Sequence, residues 1–129
     1  MAENKFFSSP SVDIIESSTK IVGDIYSKAD FRIDGIVEGN ITTTGKVVVG
    51  KSGKINGKIN TSNADISGSV SGKIEVAETL SLMSESLIQG DIVTGKLSVE
   101  EGAQLNSNKI ILESLYLVKI QLKQQRRRG

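Results

Sequence analysis

A tripeptide of glycine, a polar residue and isoleucine recurs at Gly23-Asp24-Ile25, Gly39-Asn40-Ile41, Gly57-Lys58-Ile59, Gly72-Lys73-Ile74 and Gly90-Asp91-Ile92, in steps of 16, 18, 15 and 18 along the chain. Two residues before each glycine stands an aliphatic side chain, so that Ile21, Val37, Ile55, Val70 and Ile88 form a column that runs on to Leu105. Two more columns keep the same period: Phe31, Val47, Ala64, Leu80, Leu97 and Ile33, Val49, Ile66, Leu82, Val99. Within a period, apolar residues alternate with polar or small ones, as in Val37-Glu38-Gly39-Asn40-Ile41. Alternation at period two describes short strands with one buried face. A period of about 17 residues is too short for ankyrin, tetratricopeptide or leucine-rich repeats, and it suits one turn of a single-chain β-solenoid with three short strands. The expectation is an all-β rod of five to six turns, stacked at about 4.8 Å and roughly 25–30 Å long. Glycine then marks repeated strand corners.

Composition narrows the chemistry. The chain has no His and no Cys, which removes imidazole acid–base catalysis, disulfides and thiolate or imidazole metal ligands. Left-handed β-helix acyltransferases use short turns of this kind, but their chemistry relies on a His base. Larger polysaccharide-cleaving helices carry their sites on loop insertions, for which turns this short and this even leave no room. Glu100-Glu101 and the pair Asp30 and Asp34 are the candidate carboxylate pairs, and neighbours on a strand point to opposite faces, so corner residues are the plainer reading. Gly50-Lys51-Ser52 looks like the end of a phosphate loop, yet it follows the strand Val47-Val48-Val49 and no helix pattern comes after it. Thr42-Thr43-Thr44 is replaced by Asn60-Thr61-Ser62 and Glu75-Val76-Ala77 in later turns, so no regular threonine array is built. No enzyme activity and no cofactor are expected.

Charge is balanced overall at +1, but residues 1–20 sum to −1, residues 21–108 to −3 and residues 109–129 to +5. No apolar run exceeds four residues, the longest being Leu115 to Val118, so neither a transmembrane helix nor a secretory signal is expected, and a cytoplasmic location is.

The ladder from Ile21 to Asn106, its opening Gly23-Asp24-Ile25 with Ile33-Asp34-Gly35, and Glu100-Glu101-Gly102-Ala103 near its end together resemble the bactofilins, bacterial polymer-forming cytoskeletal proteins. The resemblance spans about two-thirds of the chain. It implies a right-handed β-helix, a hand that periodicity alone does not select, flanked by flexible tails. The corresponding division is an N-terminal tail at 1–19, a β-helix at 20–108 and a basic C-terminal tail at 109–129. It also implies nucleotide-independent assembly, end to end, into non-polar and often bundled filaments that scaffold other proteins at the inner face of the bacterial membrane. The alternative is a non-polymerising β-helix adaptor that binds partner proteins through its flat faces.

Each end of such a rod exposes strand edges and half-covered aliphatic columns, and joining like ends, head to head and tail to tail, covers both. The residues expected at the N-terminal joint are Ile21, Ile25, Phe31 and Ile33. Those expected at the C-terminal joint are Leu97, Val99 and Leu105. Lys5-Phe6-Phe7 resembles the short basic-aromatic membrane motifs of some bactofilins and is the expected lipid contact. The family pattern leads one to expect another glycine and a closing apolar turn after Gly102-Ala103. Here Ile111, Leu115, Val118 and Leu122 recur at helical spacing instead, which suits an amphipathic helix, an extended extra strand or a segment foreign to the usual domain end. A helix there would cap the end that ought to polymerise. Arg126-Arg127-Arg128 has no aromatic partners, so nucleic acid is not an expected ligand.

Overall fold

The computed structural model describes residues 12–107 and 109–113. Over these residues the chain is a parallel β-solenoid of about six turns. Its strands are β1 (Val12–Ile15), β2 (Lys20–Val22), β3 (Ile25–Ser27), β4 (Asp30–Ile33), β5 (Ile36–Thr43), β6 (Lys46–Val49), β7 (Lys54–Ile66), β8 (Ser69–Leu82), β9 (Leu87–Val99), β10 (Gln104–Asn106) and β11 (Ile110–Leu112). Every strand pairing among the described residues is parallel, and the aliphatic columns of the sequence are the registers of those pairings.

Three faces enclose the core. Face A stacks Ile21, Val37, Ile55, Val70, Ile88 and Leu105. Face B stacks Ile25, Ile41, Ile59, Ile74, Ile92 and Ile110. Face C stacks Ile15, Ile33, Val49, Ile66, Leu82 and Val99, beside the column that runs from Phe31 to Leu97. The inward side chains of the middle turns, such as Ile41, Ile59, Ile66, Ile74 and Leu82, are wholly buried. Outward positions carry the polar residues, as the alternation requires.

Each corner has its own chemistry. Between faces A and B the repeated glycines stack in register, and Gly57 sits at φ 147, where a side chain is strained. A Cβ there would also collide with the carbonyl oxygen of Gly39 in the turn below. Between faces B and C the buried hydroxyls of Thr43 and Thr61 donate to the carbonyl oxygens of Ala29 and Gly45 at 2.7 and 2.6 Å. Thr94 donates to the Lys96 carbonyl at 2.9 Å, so the polar atoms that enter the core are satisfied.

The corner from face C back to face A sets most of the variation in period. Four-residue turns at Glu16–Thr19, Gly50–Gly53, Met83–Ser86 and Glu100–Ala103 each close with the last N–H donating to the first carbonyl, at 2.9 to 3.1 Å. The two-residue corners Asp34-Gly35 and Ser67-Gly68 lie between them. The long steps of the repeat contain the longer corner, and the short steps contain the shorter one.

The solenoid reaches beyond both expected boundaries. Strand β1 pairs with β4, Ile15 on Ile33, so the sheet already includes Val12–Ile15, ahead of the expected boundary at residue 20. Strand β11 pairs with Ile92–Thr94 of β9, so the first residues of the basic segment extend the sheet as a further strand. An amphipathic helix taking in Ile111 is thereby corrected for that residue, while residues 114–129 lie outside the described residues.

Candidate assembly surfaces at the ends of the rod

A stacked solenoid satisfies its backbone everywhere except at its first and last turns. At the N-terminal end β1, β2 and β3 each pair on one side only among the described residues. At the C-terminal end the same is true of β10 and β11. The exposed large apolar side chains follow the same division. Val12, Ile14, Val22 and Tyr26 are 47, 58, 72 and 76% exposed, all in the first strands, and Ile110 and Ile111 are 37 and 41% exposed in the last. Between these ends no large apolar residue is fully exposed among the described residues. Ile14, Val22 and Tyr26 point outward, and in the next turn Arg32, Glu38 and Thr42 occupy the same registers. The apolar character of the first turn is therefore a departure from the repeat and not its continuation.

The residues expected at the joints divide into two groups. Ile21, Ile25, Val99 and Leu105 are half-buried and pack against the core, with Ile21, Ile25 and Leu105 in end strands. Phe31 and Ile33 are buried, 7 and 0% exposed, because β1 lies over β4 and Ile15 covers Ile33. Leu97 is buried as well, 2% exposed. Phe31 and Ile33 are interior residues, whereas Leu97 lies in the Lys96–Val99 stretch of β9, which pairs only with β8 among the described residues and so ends face C. Sequence reasoning missed Ile14, Val22 and Tyr26, which point outward and fall outside the aliphatic columns. The signal that could have found β1 is Ile15, one full period before Ile33 and in step with the third column. Asp13 stands in the Phe31 register and interrupts the companion column. Lys5, Phe6 and Phe7, the expected lipid contact, lie outside the described residues.

The candidate chemical motifs resolve into structure. Gly50-Lys51-Ser52 is part of a four-residue corner in which the Ser52 hydroxyl donates to the Asp34 carbonyl at 2.7 Å and Lys51 reaches Glu85 at 3.5 Å. Glu100 accepts the Ser84 N–H at 3.0 Å across one corner step. Asp30 accepts the Lys46 N–H at 2.9 Å, and Asp34 is held by Arg32 at 3.0 Å. Glu75 lies between Lys73 at 2.9 Å and Lys58 at 3.5 Å, and the Lys73 contact foremost holds its carboxyl below the usual carboxylate range. Among the described residues no group of three or more His, Cys, Asp or Glu is placed to hold a metal ion, and no helix is long and apolar enough to cross a membrane. A shallow groove of about 330 Å³ on face A, between Ile36 and Leu87 and floored by Ser69 and Ser71, has no pair of acidic groups in its walls.

Comparison with known proteins agrees with this geometry. Residues 13–109 match the family model described as bactofilin, polymer-forming cytoskeletal. Bactofilin BacO of Myxococcus xanthus is 32% identical over 95 residues, covering 74% of this chain and 75% of that protein. Bactofilin BacP of the same organism is 31% identical over 90 residues, 70% of this chain but only 38% of that protein. Among solved structures, a mutant bactofilin from Thermus thermophilus superposes with a TM-score of 0.66 at 25% identity, over 70% of this chain and all of that one. The stacked registers, the glycine corner and the family match lead to one conclusion: this chain belongs to the bactofilins, a family of polymer-forming cytoskeletal proteins.

Proposed function

We propose that this chain is a structural subunit that assembles end to end, without nucleotide, into non-polar filaments, and that it has no catalytic role. The observation that carries this reading is the confinement of exposed large apolar side chains to the first and last turns, beside strand edges left unpaired among the described residues. Unpaired strand edges template further pairing, and an end that meets its own copy closes that edge isologously. Two kinds of like-to-like joint then produce a filament with no direction. Ile21 and Ile25 serve the N-terminal joint, with Phe31 and Ile33 supporting them from the interior, and Leu105, Val99 and the more deeply buried Leu97 of the last layer serve the C-terminal one. Electron microscopy of the purified chain in nucleotide-free buffer tests the reading. Filaments are expected, and uniformly monomeric or dimeric particles would favour an adaptor that binds partners through its flat faces.

Such filaments would scaffold other proteins at the inner face of the cytoplasmic membrane through Lys5-Phe6-Phe7. Two inserted phenylalanine rings at about 2–3 kcal/mol each make a weak anchor for one subunit. A polymer that presents many copies gains avidity. Liposome flotation with residues 1–8 deleted decides the point: loss of flotation is expected, and a truncated polymer that still floats removes this segment as the anchor.

A further inference from the structure

Face B has a property that faces A and C lack. Its outward column carries Tyr26, Thr42, Asn60, Glu75, Val93 and Ile111, one per turn, and so has an exposed large apolar residue at both ends. The corresponding column of face A begins at Val22 and ends at Asn106, and that of face C begins at Ile14 and ends at Ser98. The neighbouring outward column of face B, which leads into Lys109, begins with the acid Asp24 and ends with a base.

We propose that face B binds face B of a second copy of this chain, side by side and antiparallel. A two-fold axis along the strand direction turns each column onto itself with its order reversed. Tyr26 then meets Ile111 of the second copy, Thr42 meets Val93, and Asn60 meets Glu75. In the other column Asp24 meets Lys109 and Asn40 meets Asp91. Lys58 and Lys73 face each other at the centre, where each already bridges to Glu75, at 3.5 and 2.9 Å. The face is neutral as a whole, with Asp24, Glu75 and Asp91 against Lys58, Lys73 and Lys109. Opposite charges at the two ends select the antiparallel arrangement, because a parallel pair would set Asp24 near Asp24 and Lys109 near Lys109.

The area says when the contact matters. Six layers at about 4.8 Å and a face of roughly four residues at about 3.3 Å give on the order of 400 Å² per copy. A stable pairwise interface buries about 800 Å² per partner. Two isolated subunits therefore associate weakly, and rows of subunits along two filaments bind through many such contacts. In strength the pairing rests on the filament reading, and in geometry it does not.

The full chain contains no cysteine, so introduced thiols report one contact each. A Thr42→Cys chain is mixed with a Val93→Cys chain, oxidised, and run on a non-reducing gel, while the same samples are viewed by electron microscopy. Within one rod these positions are three layers apart, roughly 14 Å, too far for a disulfide, and an end-to-end joint does not bring them together. The expected result is a mixed cross-linked dimer severalfold above the self-dimer of either variant, with filaments seen in pairs. Self-dimers equal to the mixed dimer, or filaments present with no cross-link, would overturn the pairing while leaving the filament reading intact. Absence of filaments would count against the filament reading alone, and the mixed dimer would still decide the geometry of the face.

Discussion

The middle turns and the end turns of this rod are built from the same repeat and obey it differently. From Val37 to Leu82 every inward aliphatic is buried between two neighbouring turns, with apolar neighbours everywhere but at Val76, which lies between Thr61 and Thr94, and every fully exposed position is small, polar or charged. In the first turn the inward Ile21 and Ile25 are only half-covered, and Val22 and Tyr26 turn outward to solvent. Where the repeat is kept, it makes a core. Departures from it are concentrated where, among the described residues, no further turn is stacked on the rod, and the proposed assembly assigns them to contacts with another copy.

Substitutions that compare equivalent positions in the two regions test this division. The largest effect is expected at the glycine corner. Gly72 has φ 133, and a Cβ there would run into the Gly57 carbonyl, whereas a Cβ added to Gly23, at φ 134, would meet nothing within 4 Å among the described residues. Gly72→Ala should cost about 3–5 kcal/mol, strain and collision together, and Gly23→Ala about 1–2 kcal/mol, strain alone. Urea unfolding at one fixed protein concentration measures both, and equal losses would remove the distinction between middle and end.

The isoleucine column follows. Ile59→Ala, in a fully buried site, should cost about 3–4 kcal/mol, and Ile25→Ala, half-covered at the edge, about 1–2 kcal/mol by the same measurement. A smaller change is expected from Thr61→Val, which removes the hydroxyl bond to the half-buried Gly45 carbonyl while the Ser62 hydroxyl still donates to it at 2.8 Å. About 1 kcal/mol is expected, since Val76 already fills the same register without a hydroxyl.

The smallest effect belongs to Glu75. Its lowered pKa means that the folded state favours the carboxylate, so the contribution is present at neutral pH and is lost as pH falls through the carboxylate range. The site is partly open to solvent, and Glu75→Gln should cost no more than roughly 0.3–0.5 kcal/mol. Comparing the melting of both proteins at neutral pH and at pH below that range checks the sign, because the gap should close in acid.

The core of the fold was legible because a stacked solenoid writes its register directly into the sequence. Ile59, Ile74 and Ile92 recur because each rests on the last, and Gly39, Gly57, Gly72 and Gly90 recur because their backbones touch. The ends were less legible because end strands have one neighbour among the described residues and are free to break the pattern. Asp13, exposed to solvent, interrupts the Phe31 column, which concealed β1 and placed Phe31 and Ile33 at an end when they are interior. Asn108 stands one long step after Gly90, so Asn108-Lys109-Ile110 repeats the tripeptide with asparagine for glycine, and a search for glycine passes over it. Outward Val22 and Tyr26 belong to no aliphatic column, and only the register shows that the next turn holds polar residues in their places.

The most direct test of assembly through the ends places a charge at the ends and in the middle of the same rod. Ile25→Glu and Leu105→Glu alter half-covered end residues, and Ser71→Glu alters an exposed residue of a middle turn on face A. Sedimentation velocity in nucleotide-free buffer, with strand content checked by circular dichroism, reports assembly size for each. Joints at the two ends predict short species for both end variants and assemblies of unchanged size for Ser71→Glu. Folded end variants that assemble as the unsubstituted chain does would contradict them.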